Sequence, residues 1–526
     1  MRFTAPPTKP DAIPRPRFEA IAARERVSDR YWSRKDPING LRLWWRAQTI
    51  RHTFHLLPGE SILELGCGSG GLTRALCTLT RQECPITAAT FCTTTNLETL
   101  QAACPEVEVV RLSGFPGELA GRTFDYIIGG NLLDLHNAAD LLREVWRLLR
   151  PGGQLLLFET NPWNPVFRAR RWLSRWLPFL RRGDERALPN KVQLYELLSE
   201  LEFVGLAATC YDFLYPPIPR WLMLPARNLS LILESTPVLR QLAGTILLHA
   251  QRPPRHGPRP PARLTEHDEL YDAVSVVVPC HNEEMNVGPL VDGLLTHYGE
   301  YIHEIVLVDD NSNDRTRQVI EDLAAEEPRV RPLIRKPPNG VGRALRDGLQ
   351  QASGRYVLLM DCDFLHILPE LRELFDAAAQ GYEVVLGSRF SRESVLINYP
   401  LRKILFNRAF HLLAILLFRR RMRDVTNNLK LLKREVVENL DLESPWFAAN
   451  AETGLKPLLM GYRKCEVPIS WINRTPDMGQ SSFSLWESGG GYAQVLAALF
   501  WRTRGGFRRL DRPSDQPSPG PDSARH

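Results

Sequence analysis

Three features that narrow a protein's class are missing from this sequence. None of the nine cysteines belongs to a C-x-x-C pair or a closely spaced set, which favours a reducing compartment. The longest aliphatic or aromatic run in a membrane-like segment is Leu412–Phe418, seven residues, whereas a spanning helix needs about 20. The Pro- and Arg-rich N-terminus has no apolar core of a signal peptide. We therefore expect no transmembrane helix.

Composition and proline content predict how the chain is divided. Its 526 residues, 44% hydrophobic and 24% charged, are typical of a globular protein too long for one core. The net charge of +6 permits an anionic partner without identifying it. Residues 252–263 hold five prolines, as in a stiff linker. We predict an N-terminal tail and helix (1–40), a first domain (41–251), a linker (252–270), a second domain (271–485), and a basic segment with a disordered tail (486–526).

A glycine-rich turn organises the first domain. Ser61–Gly70 has the pattern of a strand that runs into this turn, with a helix over Leu72–Leu79. Glycines let the backbone approach a ligand, and the helix start offers N–H groups to it. A dinucleotide fingerprint and the E-x-G-x-G-x-G pattern of methyl-donor sites fit equally well. Three later elements decide between these two patterns: a strand at Phe124–Ile128, a helix at Leu141–Leu149, and a turn into a strand at Pro151–Phe158.

With these residues, the segment from about 40 to 250 resembles a class I S-adenosylmethionine-dependent methyltransferase. The resemblance implies a doubly wound, Rossmann-like sheet and binding of S-adenosylmethionine by Glu64, Gly66, Gly68 and Gly70. That family usually has an acid at the end of the second strand to hold the ribose, and Ile86–Cys92 contains none. Its second acidic position, near the adenine, falls at Arg111–Ser113, which is not acidic either. Either Glu98 or another group substitutes, or the domain is a scaffold or regulator.

The segment Thr160–Arg186 interleaves tryptophan, phenylalanine and leucine with seven arginines. This pattern is typical of a helix that lies flat in a bilayer interface, where tryptophan reaches headgroup depth and arginine meets lipid phosphate. A helix packed on its own domain with a solvated arginine face explains it as well. Base stacking on nucleic acid is a weaker third interpretation, and we expect no nucleic-acid partner.

In the second domain, buried strands end in polar loops. Val274–Glu284, Glu304–Thr316 and Tyr356–Asp363 each have an apolar run followed by carboxylates, and Val330–Arg335 and Glu383–Arg389 supply two more strands. Ligands of open α/β sheets bind at the carboxyl ends of the strands, so these loops should converge. Two carboxylates one residue apart where a strand breaks into a loop, Asp361 and Asp363, can turn toward one hard cation.

These motifs, in order over about 215 residues, resemble family 2 inverting glycosyltransferases with a GT-A fold, and among them the polyprenyl-phosphate sugar synthases of the dolichol-phosphate-mannose type. The resemblance implies Mg²⁺ or Mn²⁺ on Asp361 and Asp363, where the metal and nearby arginines stabilise a departing nucleoside diphosphate. It implies a nucleotide sugar framed by Pro279, His281, Glu283, Asp309 and Asp310, with Gly340 and Gly342 in the loop beside it. It also implies phosphate contacts for Arg389, Arg402 and Arg474.

The sequence departs from that family at two points and leaves one role open. Leu365 stands where a polar metal ligand is often found, and Gly479–Ser482 has serine where the family often has a lysine. Glu452 is the candidate base if the acceptor is a hydroxyl, which has to lose a proton. If the acceptor is a lipid phosphate, already anionic, Glu452 orients or supports other residues.

A basic and apolar segment favours a lipid acceptor. Tyr399–Asp424 has the pattern of a mostly apolar helix flanked by seven basic residues and one acidic residue. Such a helix is too short to span a bilayer but suited to an anionic surface; the alternative is a core helix with a basic end. Val495–Arg512 adds to the same face, and residues 513–526 have the composition of a disordered tail. We expect a cytoplasmic location, peripheral at the inner face of the membrane.

The sequence therefore predicts a two-domain enzyme. Its C-terminal domain transfers a sugar from a nucleotide sugar, with inversion, to a polyprenyl phosphate or a related lipid-linked acceptor, and its N-terminal domain is methyltransferase-like. One alternative is transfer to a glycan hydroxyl with Glu452 as base. Another is that the N-terminal half is a non-catalytic binding module.

Overall fold

The computed structural model describes residues 13–33, 36–92, 97–173, 176, 188–215, 218–253, 266–364, 370–391, 393–397, 399–472 and 485–512. The chain divides into two compact units, Met1–Pro260 and Pro261–His526. The division falls in the predicted linker, whose residues 254–265 lie outside the described ranges. None of the nine cysteines, all of which lie in these described ranges, forms a disulfide bond. Within the described ranges, no helix combines the length and the apolar character needed to cross a membrane.

The first unit alternates strands and helices. Its helices are α1 (Arg15–Trp32), α2 (Pro37–Phe54), α3 (Gly71–Leu79), α4 (Glu98–Ala103), α5 (Ala138–Leu148), α6 (Pro165–Leu173), α7 (Lys191–Glu200), α8 (Met223–Glu234) and α9 (Pro237–Arg240). Its strands are β1 (Ile62–Leu65), β2 (Ile86–Thr90), β3 (Glu108–Arg111), β4 (Phe124–Gly130), β5 (Leu149–Thr160), β6 (Val204–Tyr211) and β7 (Thr245–Gln251).

The seven strands form one sheet in the order β3-β2-β1-β4-β5-β7-β6. β3, β2, β1, β4 and β5 are parallel, and β7 is antiparallel to both of its neighbours. Parallel strands covered by helices are buried on both faces, which explains why β1 and β2 contain only buried residues. The strand order reverses between β1 and β4, and this reversal opens a crevice at their carboxyl ends.

The second unit also alternates strands and helices. Its helices are α10 (Val287–Tyr298), α11 (Thr316–Glu326), α12 (Val341–Gln351), α13 (Leu371–Ala379), α14 (Leu401–Phe418), α15 (Arg434–Glu438), α16 (Ala449–Met460) and α17 (Leu485–Arg502). Its strands are β8 (Val274–Cys280), β9 (Ile302–Asp309), β10 (Val330–Ile334), β11 (Tyr356–Leu359), β12 (Val384–Ser388), β13 (Leu396–Ile397), β14 (Lys430–Lys433), β15 (Lys464–Pro468) and β16 (Trp471–Ile472).

The main sheet of the second unit has the order β10-β9-β8-β11-β14-β12-β15, and β13 pairs with β16 separately. β10, β9, β8 and β11 are parallel, whereas β14 runs antiparallel between β11 and β12. The order reverses between β8 and β11. The loops after these two strands, where the sequence placed carboxylates, therefore face one crevice.

Two basic segments contain helices with different surroundings. α6 covers Pro165–Leu173 of the arginine-rich segment and buries none of its side chains, while Trp163 and Trp172 are more than half exposed. Residues 174, 175 and 177–186 of that segment lie outside the described ranges. α14 buries one face, which includes Ile404, Phe410 and Ala414, and exposes leucines on the other.

Candidate active site

A cavity of about 200 Å³ lies at the carboxyl ends of β8 and β11. Its position agrees with the strand order, which reverses between these two parallel strands. Seven of the residues predicted to form the site line this cavity: Pro279, His281, Glu283, Asp310, Asp361, Asp363 and Arg389. The structure thus brings together side chains that are up to 110 positions apart in sequence.

The two candidate metal ligands share the cavity. Asp361 and Asp363 follow β11 and flank Cys362, which is buried. The amide nitrogen Nδ2 of Asn428 donates a hydrogen bond to Oδ1 of Asp361 at 2.7 Å. Asn428, which comes just before the antiparallel strand β14 that pairs with β11, therefore fixes the orientation of one carboxylate.

Unpaired amide oxygens lie in the same wall. The Oδ1 atoms of Asn428 and Asn450 are buried and accept no hydrogen bond from the described residues, and both asparagines line the cavity. Leaving a buried acceptor unpaired costs about 1–3 kcal/mol. Carboxylate and amide oxygens are the ligands that hard divalent cations prefer. The residues present fit Mg²⁺ or Mn²⁺, with Asp361 and Asp363 as the charged ligands.

A buried lysine fixes one of these asparagines. Lys430 Nζ donates hydrogen bonds to the backbone oxygen of Asn450 at 2.9 Å and to Oγ1 of Thr453 at 2.8 Å. Burial lowers the pKa of Lys430 to about 7, against the opposite effect of Asp424 and Asp361. Sequence analysis missed Lys430, Asn428 and Asn450. The signal for Asn428 and Lys430 was the run of polar residues that enters β14, whereas Asn450 lies at the start of α16, two residues before Glu452.

Of the residues predicted to frame the nucleotide, some line the cavity and others support it from outside the lining. His281 lines the cavity, and its Nδ1 lies 3.0 Å from the backbone oxygen of Asp310, close enough for a hydrogen bond. Asp310 accepts a hydrogen bond from the backbone N–H of Gly340 at 2.7 Å and pairs with Arg335. Asp309 is buried but does not line the cavity. Its Oδ1 accepts a hydrogen bond from the backbone N–H of Ser312, which closes the turn.

Gly340 and Gly342 hold the start of α12 against a neighbouring loop. Gly340 has φ of +151°, and a Cβ there would lie 2.3 Å from the backbone oxygen of Pro445. A Cβ added at Gly342 would lie 2.1 Å from the backbone oxygen of Ser444. Neither glycine lines the cavity. Gly340 acts on the cavity through Asp310, whose carboxylate accepts a hydrogen bond from the Gly340 N–H.

Arg389 lines the cavity, but its charge is paired. Its Nε and Nη2 donate to the two carboxylate oxygens of Asp424 at 2.7 and 2.9 Å, and its backbone N–H donates to the same group at 3.0 Å. The guanidinium holds the pKa of the Asp424 carboxyl at about 2 although Asp424 is fully buried. The Nη1 of Arg389 donates to the hydroxyl of Tyr399 at 3.1 Å.

Glu452, the candidate base, lies outside the cavity lining. Its carboxylate oxygens accept hydrogen bonds from the backbone N–H groups of Glu443 and Ser444 at 2.8 and 2.9 Å, and Lys456 Nζ lies 3.1 Å away. Glu452 is 3% exposed. Its geometry is that of a residue that anchors the loop against which Gly340 and Gly342 pack.

The predicted acceptor residues give a mixed outcome. Arg402 is exposed on α14 and does not line the cavity, whereas the adjacent Lys403 does. Arg474, Leu365 and Gly479–Ser482 lie outside the described residues. The other α14 residues in the lining are Phe406, Asn407 and Phe410. The buried face of the basic helix therefore forms part of the same cavity as the two aspartates.

A second cavity, of about 490 Å³, lies in the first unit at the reversal between β1 and β4. Glu64, Gly66 and Gly68 line it; Gly70 does not. Burial raises the pKa of Glu64 to about 7, and its Oε2 accepts a hydrogen bond from Thr73 Oγ1 at 2.7 Å. The volume, the glycine backbone and the position at the sheet reversal fit a nucleoside such as S-adenosylmethionine.

Comparison with known proteins identifies the C-terminal unit. Residues 275–441 match the model of "Glycosyl transferase family 2". Polyprenol monophosphomannose synthase of Mycolicibacterium smegmatis is 30% identical over 245 residues, which are 45% of this chain and 88% of that protein. The chain belongs to glycosyl transferase family 2. Dolichol-phosphate mannosyltransferase of Pyrococcus furiosus is also 30% identical, over 185 residues that make up 35% of this chain and 52% of that protein.

The first unit has its own match. Residues 62–153 match a family model described as "Methyltransferase domain". Both resemblances drawn from the sequence are therefore confirmed: this family 2 glycosyltransferase also carries a methyltransferase domain. Among solved structures, glucosyl-3-phosphoglycerate synthase from Mycobacterium tuberculosis, in complex with Mn²⁺ and UDP-glucose, is 20% identical with a TM-score of 0.35 and covers 47% of this chain and 85% of that one.

Proposed function

We propose that the C-terminal unit transfers a sugar from a nucleotide sugar, with inversion, to the phosphate of a polyprenyl phosphate. The observation that carries this proposal is the composition of one cavity. Asp361 and Asp363 share it with Lys403, Phe406 and Phe410 of α14. Paired carboxylates suit a metal diphosphate, and an ammonium group beside aromatic rings suits a phosphate at the end of an apolar chain. The two relatives described above are named polyprenol monophosphomannose synthase and dolichol-phosphate mannosyltransferase.

Each part of the site has a task in this reaction. Asp361 and Asp363 hold Mg²⁺ or Mn²⁺, which supplies positive charge to the departing diphosphate. Pro279, His281, Glu283 and Asp310 frame the donor nucleotide, with Asp309 and the two glycines of the α12 loop as support. The chain's residues position donor and acceptor for in-line attack on the anomeric carbon.

The geometry of Glu452 supports a phosphate acceptor over a hydroxyl. Transfer to a hydroxyl needs a base in reach of the acceptor, and Glu452 instead accepts hydrogen bonds from Glu443 and Ser444 outside the cavity. A phosphate oxygen is already anionic and needs no such base. Arg389 contributes through its pair with Asp424, which shapes the cavity wall, and Arg474 remains a candidate for phosphate contact.

The outer face of α14 supports docking at a lipid surface. Leu405, Leu412, Leu413 and Leu416 are 51%, 60%, 47% and 66% exposed. Arg402 at one end of the helix and Arg420 beyond the other are exposed as well. Exposed leucines framed by arginines are typical of a helix in the interface of an anionic membrane, where each basic residue contributes about 1 kcal/mol. We infer a peripheral location at the inner face.

The reaction is tested with purified protein, a panel of nucleotide sugars, Mg²⁺ or Mn²⁺, and short polyprenyl phosphates. We expect a sugar–phosphate–lipid product that depends on the metal and disappears in Asp361→Asn and Asp363→Asn. Asp322→Asn, an exposed aspartate on α11, is the matched control and retains full turnover. Full turnover in both site variants refutes the metal assignment.

For the N-terminal unit we infer binding of S-adenosylmethionine in the 490 Å³ cavity, with Glu64, Gly66 and Gly68 in its wall. The support is the position of the cavity at the sheet reversal together with the methyltransferase-domain match. Equilibrium binding of labelled S-adenosylmethionine to the full chain tests it. Saturable binding is expected, and its absence leaves this unit as a non-catalytic module.

A further inference from the structure

Strand β2 ends at Thr90, where a ribose-binding acid was expected, and the structure places a carboxylate from helix α1 there instead. Glu25 Oε1 accepts hydrogen bonds from Thr90 Oγ1 at 2.7 Å and from the N–H of Gly68 at 3.0 Å. Its Oε2 accepts from the N–H of Phe91 at 2.7 Å. Glu25 is 1% exposed. It anchors α1 to the glycine-rich turn and to the end of β2 at once.

Asp29 lies four residues beyond Glu25 and thus on the same face of α1. Its Oδ1 accepts a hydrogen bond from the N–H of Ser69 at 2.6 Å. A Cβ at Gly68 would lie 2.7 Å from this oxygen, so the close approach of α1 requires a glycine there. Asp29 lines the 490 Å³ cavity, whereas Glu25 does not.

The same cavity has a buried cation in its wall. Arg46 is 7% exposed, and its guanidinium carbon lies 4.3 Å from the ring centre of Trp32 and 4.7 Å from that of Phe158. It also lines the cavity. A buried guanidinium is stabilised by an anionic group of a ligand. The cavity therefore presents a carboxylate and a guanidinium to one molecule.

We propose that Asp29 takes the place of the acid that β2 lacks and binds the ribose hydroxyls of a nucleoside that also carries a carboxylate. This inference rests on the proposed S-adenosylmethionine site. A carboxylate has about four acceptor positions, and the N–H of Ser69 uses one of them. Glu25 is a positioning residue, because it fixes α1 without facing the cavity.

The test is calorimetric binding of S-adenosylhomocysteine and its 2′,3′-dideoxy analogue to the full chain. We expect the wild type to bind the ribose form about 10- to 100-fold more tightly, as for hydrogen bonds to a charged group. Asp29→Asn should weaken binding of S-adenosylhomocysteine by a similar factor and bind both ligands about equally. Its amide oxygen still accepts from Ser69, so a thermal melt should match the wild type. Glu19→Gln, exposed on the same helix, should change nothing.

The outcomes are distinct. If Asp29→Asn keeps the preference for the ribose form, or binds more tightly than the wild type, the assignment of Asp29 is overturned; tighter binding would show that α1 occludes the cavity. If the wild type binds neither ligand, the S-adenosylmethionine proposal fails as well. Wild-type binding with an unaltered Asp29→Asn variant refutes the Asp29 assignment alone.

Discussion

Replacing Asp424 by asparagine should destabilise the C-terminal unit by about 3–5 kcal/mol, the range found when one partner of a buried ion pair is removed. Asp424 is fully buried and accepts three hydrogen bonds from Arg389. Asparagine keeps the shape but removes the charge, so the guanidinium of Arg389 is left uncompensated. Because Arg389 lines the cavity, the variant should also lose most of its glycosyl transfer.

The effect should depend on pH in a defined direction. Arg389 holds the pKa of Asp424 at about 2, below its ordinary value of 3.8, and each pKa unit corresponds to about 1.4 kcal/mol. A lowered carboxyl pKa contributes stability that is fully present above the unfolded value and is lost as the pH falls through the folded value. The difference between wild type and variant should stay constant from about pH 7 to 5 and shrink by about 2 kcal/mol between about pH 4 and 2.

Urea unfolding across this pH range measures the effect. The two units can unfold in separate transitions, so hydrogen-exchange mass spectrometry of peptides from β8–β15 assigns the relevant one. Asp322→Asn, which replaces an exposed aspartate in the same unit, should change stability by less than about 0.5 kcal/mol. The reasoning fails if Asp424→Asn resembles this control, or if the difference from wild type persists undiminished to pH 2.

Three other changes test separate parts of the account. Gly340→Ala should destabilise the protein by about 1–3 kcal/mol, because its Cβ would meet a carbonyl oxygen at 2.3 Å. The control is Gly288→Ala, whose Cβ would meet nothing within 4 Å and which should not destabilise the protein. Equal melting temperatures of the two variants would refute the packing argument. Glu452→Gln should lower the melting temperature yet keep the pH profile of turnover. Loss of a catalytic base lowers turnover at least about 100-fold, and a decrease of that size would contradict the anchoring role. Leu412→Asp should weaken flotation with anionic liposomes about tenfold or more. The control is Leu229→Asp, which replaces an exposed leucine of the first unit; an equal loss of flotation in this control would refute docking through α14.

Local patterns were sufficient to predict the two domains and the cavity of the second. A parallel strand that is buried on both faces appears as a continuous apolar run, so its carboxyl end can be located from the sequence. The strand end at Leu359 therefore placed Asp361 and Asp363 at the crevice. The glycine pattern after β1 located the cavity of the first unit for the same reason.

Contacts between distant segments could not be read from such patterns. No periodicity indicates that Asp424 neutralises Arg389, or that Glu452 anchors the loop at Ser444, because each contact depends on how elements pack across the fold. Strand β2 has no acid near Thr90 in sequence, while in space α1 places Glu25 there from 65 positions earlier. Asparagine gives no signal in the sequence, because an amide becomes a ligand only through its surroundings.

The central claim is that the acceptor is a lipid phosphate, and one measurement tests it most directly. Purified protein is incubated with its nucleotide sugar, a divalent metal and an equimolar mixture of a polyprenyl phosphate, the matching polyprenol and a glycan, and products are analysed by mass spectrometry. The account predicts that only the polyprenyl phosphate gains the mass of one sugar. A glycosylated polyprenol or an extended glycan, with the phosphate unmodified, would contradict it.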